Sequence, residues 1–289
     1  MPIITVANLK GGVAKSSVLF HSSGSLVKRG KKILLVDADP QASISAGYLG
    51  VEATWALDPA STIAAIYAGE EPYPERVVRR TGFPGIDLLA GSRHAARYNV
   101  PVPEEAPYEA QVCLRDFLGG VRDRYDLILV DTPPNLHMAT YSSLAASDYY
   151  LVPIVPEDWG SQGFAAVRQS ADLVRSKINP GLDLLGIVLT LYAGRRSVHK
   201  LFEERLRLGI PGAVFDTPMP ISVDYIEALV ALKPVTYHKP RGAAAKAVDA
   251  IVEELLGRLL SDSNSSPRVA SEHLDAPMEA VTWPANSTL

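Results

Sequence analysis

Cysteine is almost missing: the 289-residue chain has one, Cys113, so no disulfide can close within it and no cysteine–histidine cluster has zinc spacing. Long apolar runs are missing too, since none approaches the ~20 residues needed to cross a bilayer. The N-terminal MPIITVANLKGG has no basic leader ahead of its apolar run and no small-residue cleavage site, which excludes a signal peptide. There is no excess of charge of either sign. With 28 basic against 32 acidic side chains and a net charge of −4, no global field draws the chain to nucleic acid or membrane, and any such binding must come from a local patch. Glycine (21) and proline (22) are near average use, which rules out a collagen-like or broadly disordered chain. These absences predict a cytoplasmic globular protein.

What is present alternates. Aliphatic and β-branched runs recur at IITVAN (3–8), KILLVD (32–37), IDLLAG (86–91), DLILVD (126–131), YYLVPIV (149–155) and LLGIVLTLY (184–192). Helically spaced segments separate them: 16–29, 108–122, 161–177, 198–208 and 241–260. Continuously apolar strands imply burial on both faces, so the expected fold is α/β, a mostly parallel twisted sheet with helices on both faces. Residues 51–80 and 92–107 are irregular and proline-bearing, and read as insertions or loops beside the site. One domain is expected over 1–260. Residues 261–289, rich in Ser, Pro and Ala, read as a disordered tail in which Trp283 is the odd feature, a candidate linear motif for a partner.

LKGGVAKSS (9–17) follows the first strand and opens the first helix. A strand, a glycine turn and a helix starting at a lysine and a hydroxyl residue present backbone N–H groups and a helix N-terminus to phosphate. Lys15 is expected to reach the terminal phosphates and the Ser16 hydroxyl to bind magnesium. The ordinary G-x-x-x-x-G-K-[ST] pattern fails, because Leu9 and Ala14 stand where its glycines belong. The deviant form K-G-G-x-x-K-[ST] fits, with Lys10, Gly11, Gly12, Lys15 and Ser16, and Val13, Ala14 and Ser17 complete the candidate ATP-binding loop.

On these residues the sequence resembles the ParA/MinD family of deviant Walker A P-loop ATPases, most of all the short, Soj-like ParA proteins, from about residue 2 to 260. The resemblance implies that Lys10 crosses a nucleotide-sandwich homodimer to the partner's phosphates, so that dimerisation depends on ATP. Ala14 departs from the pattern. If its position needs φ > 0, alanine costs ~1 kcal/mol there, and nucleotide affinity or turnover falls.

Two further motifs sit at strand ends. VDADPQ places Asp37 and Asp39 at the carboxyl edge of the sheet, where open α/β sheets bind ligands, and residues two apart on a strand share a face. The resemblance gives Asp39 the orienting of the attacking water, and allows it a second role on the metal through a water. DLILVDTPP ends a buried strand in Asp131, the Walker B position, which is expected to hold Mg²⁺ through a water. Thr132, Pro133 and Pro134 then form a switch-like loop. Catalysis is expected to be positioning and electrostatic stabilisation of in-line attack, with slow basal turnover.

From Thr217 the segment TPMPISVDYIEALVALKP is similar to the family's C-terminal stretch, which implies that Pro218 and Met219 flank the adenine. Family members of this size bind DNA without sequence preference, and Arg195, Arg196 and Lys200 in AGRRSVHK are the matching candidates, salt-sensitive if they bind. Asp224 stands where related sequences often have arginine. The implied function is a slow ATPase, in the cytoplasm and on the nucleoid, that partitions a plasmid or chromosome region with a ParB-like adaptor and without a membrane. The chain begins almost at the loop, so the N-terminal operator-binding extension of larger ParA proteins is not expected. One rival is a positioner of protein cargo, of the carboxysome or chemotaxis-array type, which shares every motif. A MinD-like regulator needs a C-terminal basic amphipathic helix that AVTWPANSTL does not offer, and an iron–sulfur relative needs cysteines beyond Cys113.

Overall fold

In a computed structural model, the structure describes residues 1–157 and 160–263. Seven strands form its centre: β1 (Ile3–Val6), β2 (Ile33–Asp37), β3 (Val78–Arg80), β4 (Ile86–Leu89), β5 (Leu127–Asp131), β6 (Tyr149–Ile154) and β7 (Asp183–Leu189). They lie side by side in the order β3-β4-β2-β5-β1-β6-β7. Every neighbouring pair is parallel except β3 with β4, which is antiparallel at the edge. The helices are α1 (Lys15–Lys28), α2 (Ser43–Leu49), α3 (Val51–Trp55), α4 (Ile63–Tyr67), α5 (Pro74–Val77) and α6 (Tyr108–Val121). They continue with α7 (Met138–Ala146), α8 (Gly160–Lys177), α9 (Ser197–Gly209), α10 (Val223–Val230), α11 (Val235–His238) and α12 (Ala243–Ser263).

Strand alternation divides the apolar side chains between two faces. Ile4, Val6, Ile33, Leu35, Leu127 and Leu129 pack under α1, α2 and α12, while Leu34, Val36, Ile128 and Val130 meet α4 and α6 on the other side. Beyond them, Val152, Ile154, Ile187 and Leu189 lie under α7, α8 and α9. This is the expected doubly covered sheet, and all six strands read from the sequence are in it.

The differences have physical causes. Strand β3 has only three residues and carries Arg79 and Arg80, so it leaves no aliphatic run to read. Helix α7 is buried along its whole length, so it has no polar stripe and no 3.6-residue period. The stretch 51–80, expected to be loop, contains α3 to α5, each only four or five residues long and so too short for periodicity to show, and Ile63, Ala64, Ala65 and Ile66 from it are core. Helix α12 runs through Ser263, three residues into the stretch read as tail; Trp283 and the rest of that tail lie outside the described residues. Among the described residues no helix is long and apolar enough to cross a membrane.

Candidate functional site

Asn8, just past β1, sets the course of the loop. Its Nδ2 donates to the Pro153 carbonyl of β6 at 2.7 Å, and its Oδ1 accepts from the Lys10 N–H at 2.9 Å. Gly163 on α8 makes room for it, since a Cβ there would lie 2.8 Å from Asn8 Oδ1. The chain then turns through Gly12 at φ +75 and Ala14 at φ 63, ψ 27, so the alanine does occupy the left-handed region. Ala14 is the N-cap of α1 but gives it no side-chain cap, and no acidic residue stands in the first turn, so the orphan N–H groups of a 14-residue helix face the cleft.

Lys15 folds back over the loop, its Nζ donating to the Asn8 and Lys10 carbonyls at 3.0 and 3.2 Å. Burial lowers its pKa, an effect opposed by the nearby Asp131 and Asp39 carboxylates. Ser16 Oγ donates to Asp131 Oδ2 at 2.5 Å. The other Asp131 oxygen is buried without a hydrogen-bond partner among the described residues. Burial first, then the charge of Asp37, pushes the Asp131 carboxyl well above its usual range.

Strand register explains that second effect. β2 and β5 pair Asp37 directly with Asp131, so two carboxylates end adjacent strands side by side. Asp37 is turned away from the loop: Oδ2 accepts from the Ser45 N–H at 2.8 Å and the Ser45 hydroxyl at 2.7 Å, and Ser45 Oγ accepts from the Gly91 N–H at 2.9 Å. It therefore ties α2 to the end of β4, and burial pushes its pKa up to about 7. Of the two aspartates in VDADPQ, Asp39 alone lines the cleft; its Oδ1 accepts from the Gln41 N–H at 2.9 Å, and burial raises its pKa.

The cleft has a volume of about 330 Å³. Gly11 to Ser17 form its floor, Asp39, Gln41 and Pro134 one wall, and Phe20, His21, Ile44 and Leu229 a more apolar wall. Thr190 at the end of β7 steadies the loop by donating to the Val13 carbonyl at 3.0 Å. Sequence reasoning missed Asn8, Ser45 and Thr190, because a brace carries no motif of its own.

Three sets of predicted residues lie outside this cleft. Lys10 extends to solvent, where its Nζ pairs with Glu157 Oε2 at 2.8 Å. Met219 is 3% exposed and packed in the core, its N–H donating to the Leu189 carbonyl at 2.7 Å, and neither it nor Pro218 lines the cleft. Arg195, Arg196 and Lys200 are exposed on the turn after β7 and the start of α9, whereas Glu203 is occupied by Arg207 at 2.9 Å and Tyr192 at 2.6 Å. Asp224 is held by Lys239 at 2.6 Å, which keeps its carboxyl below the usual range.

The group this site fits is a phosphate chain with a hard cation. An uncapped helix N-terminus suits phosphate, and a half-buried hydroxyl bonded to a buried carboxylate, whose other oxygen has no hydrogen-bond partner among the described residues, suits a hydrated magnesium. Among the described residues no group of three or more His, Cys, Asp or Glu is arranged to hold a metal by itself.

A family model described as an AAA domain matches residues 1–184. The chromosome-partitioning ATPase Soj of Thermus thermophilus is 33% identical over 256 residues, covering 89% of this chain and 96% of that protein. The chromosome partitioning protein ParA of Caulobacter vibrioides is 29% identical over 258 residues, covering 89% and 94%. Among solved structures, cobyrinic acid a,c-diamide synthase of Mycobacterium smegmatis with bound ADP and magnesium superposes with a TM-score of 0.73 at 23% identity, over 90% of this chain and 96% of that one.

Proposed function

The chain belongs to the ParA family of partitioning ATPases, and on that footing we propose that it is an ATP-operated switch that closes into a homodimer and cycles on and off DNA to position a cargo. One observation carries the reading: Asp131 is bonded to Ser16 through one oxygen and, among the described residues, unpartnered at the other, beside Lys15 and an uncapped helix.

ATP, when bound, supplies the anhydride to be cleaved, and Mg²⁺ supplies charge against the phosphates. The residues do the rest. Backbone N–H groups from Gly11 to Ser17 hold phosphate oxygens, and Lys15 gives up its two carbonyl partners for them. Ser16 and Asp131 would hold the cation, Asp131 through a water. Asp39 would orient the attacking water, with a second role on the cation through a water. Lys10 serves the partner subunit, which requires it to leave Glu157. By resemblance Pro218 is proposed to border the base, and Met219, packed in the core, to support it from beneath rather than touch it. Arg195, Arg196 and Lys200 face the DNA backbone of the nucleoid, where their contacts release counterions. A ParB-like adaptor raises a slow basal turnover.

The test is binding of the purified protein to non-specific duplex DNA with ATP, with ADP and with neither, at two salt concentrations. ATP alone should switch binding on. Lys10→Ala should abolish the switch, and Arg195→Ala with Arg196→Ala should weaken binding while dimerisation persists. Binding that ignores the nucleotide would sink the reading.

A second reading, a positioner of protein cargo, is favoured by α10. Around the Asp224–Lys239 pair, Ile221, Val223, Ile226 and Val230 are 57 to 80% exposed, a surface suited to apolar groups rather than phosphates. ATP-driven dimers that bind no DNA at low salt would decide for it.

A further inference from the structure

Helix α10 carries an apolar face that no described residue covers. Ile221, Val223, Ile226 and Val230 stand well exposed along it. The partly exposed Leu229 and Leu232 continue the surface to α2 and α3, their Cδ1 atoms lying 3.1 and 3.9 Å from where a Cβ on Gly47 and on Gly50 would be. Exposed Val51 opens α3 at that point. A connected apolar surface of this kind is uncommon on a chain that stands alone.

Its surroundings are basic. On α10 itself Asp224 and Glu227 are both taken by Lys239, at 2.6 and 2.5 Å. Lys233 follows the helix, and Arg241 and Lys246 come from the start of α12, which packs beside α10: the Tyr225 hydroxyl donates to the Ala244 carbonyl at 3.2 Å, and a Cβ on Gly242 would lie 3.5 Å from Asp224 Oδ2. These three cations are exposed, and none is in an ion pair with a described residue.

What covers this surface should therefore be both apolar and acidic. A second copy of the same face would set the cations against their like. The chain's own C-terminal stretch EHLDAPMEAVTW (272–283) has the matching composition: Leu274, Met278, Val281 and Trp283 alternate with Glu272, Asp275 and Glu279, and there is no Lys or Arg. It is also long enough to arrive. Helix α12 has 21 residues and so runs about 30 Å from its contact with α10 to Ser263. Returning that distance takes about nine residues at full extension, which 264–272 supply.

We propose that the apolar face of α10 is the docking site for this chain's own segment 272–283. The four large apolar side chains of the segment pack on the stripe from Val223 to Leu232, and its three carboxylates meet Lys233, Arg241 and Lys246. Covalent attachment makes the contact intramolecular, with an effective concentration on the order of millimolar, so even a weak apolar contact is occupied. Leu229 also lines the nucleotide cleft, so the seated segment lies at the mouth of that cleft, and a protein cargo using α10 has to displace it. The contact needs neither nucleotide nor DNA and stands or falls separately from the switch proposed above.

The experiment puts p-benzoylphenylalanine in place of Trp283 in the full-length protein. An equimolar mixture of isotopically light and heavy chains, without nucleotide and at about 1 µM, far below the effective concentration of a tethered segment, is irradiated and the cross-linked peptides are mapped by mass spectrometry. Position 283 should join residues 221–232 or Val51 of the same chain. Ile226→Asp with Val230→Asp, both at exposed positions, should cut the yield about tenfold. Arg241→Glu with Lys246→Glu, acidic changes that suit the N-terminus of α12, should cut it about threefold. Cross-links only to other surfaces, products joining a light to a heavy chain, a yield that both variants leave unchanged, or no cross-link at all would each overturn the proposal.

Discussion

At the carboxyl ends of β2 and β5 the charged groups are buried and face one another, whereas at the turn after β7 they stand in solvent without constraint. Asp37, Asp39, Asp131 and Lys15 are each less than a tenth exposed, and burial shifts the pKa of every one of them. Arg195, Arg196 and Lys200 are exposed and belong to no ion pair with a described residue. In the first region burial and neighbouring charges together set each group's protonation, so removing one changes the others. In the second a charge is independent, and its removal costs only what it binds.

Lys15→Ala should show the largest effect. It leaves Asp39 and Asp131 without their cation and removes the phosphate partner, so nucleotide affinity should fall by more than about a hundredfold, roughly 3 kcal/mol, by calorimetric titration. A loss of only a few-fold would erase the distinction between the regions.

His21 extends the contrast to pH. It is 1% exposed, accepts from the Val235 N–H at 3.1 Å, and burial pushes its pKa down to about 4. Its neutral form is therefore the folded one. Stability from this residue is complete above the unfolded pKa of about 6.5 and is lost as pH falls from there toward 4, by about 2 kcal/mol at pH 5. Thermal melts at pH 7.5 and 5 should show that loss in the parent chain and a flatter dependence in His21→Asn.

Ala14→Gly relieves a non-glycine residue at φ 63. It should raise stability by about 1 kcal/mol, or Tm by roughly 2 °C, and tighten nucleotide binding. An unchanged Tm would mean that the surrounding loop has absorbed the strain. The smallest effect belongs to the second region: Arg195→Ala with Arg196→Ala should change stability by less than about 0.5 kcal/mol while lowering the salt slope of DNA binding by about 2.

Local features were the ones open to sequence reasoning. A strand buried on both faces leaves an aliphatic run, and a phosphate loop must be contiguous, so Lys10 to Ser17, Asp39 and Asp131 could be named from spacing and resemblance alone. Ala14 was identified as the critical departure, with its cost conditional on a backbone angle that only the fold supplies. Tertiary structure decided what depends on residues far apart in the chain. The pairing of β2 with β5 set Asp37 against Asp131; the choice of Ser45 as its partner turned Asp37 from the loop; and the packing of α8 let Asn8 brace β1 to β6. Met219 entered the core for the same reason. A side chain's chemistry is fixed by its own atoms, but its charge state, direction and company follow from neighbours that a hundred residues of chain can separate.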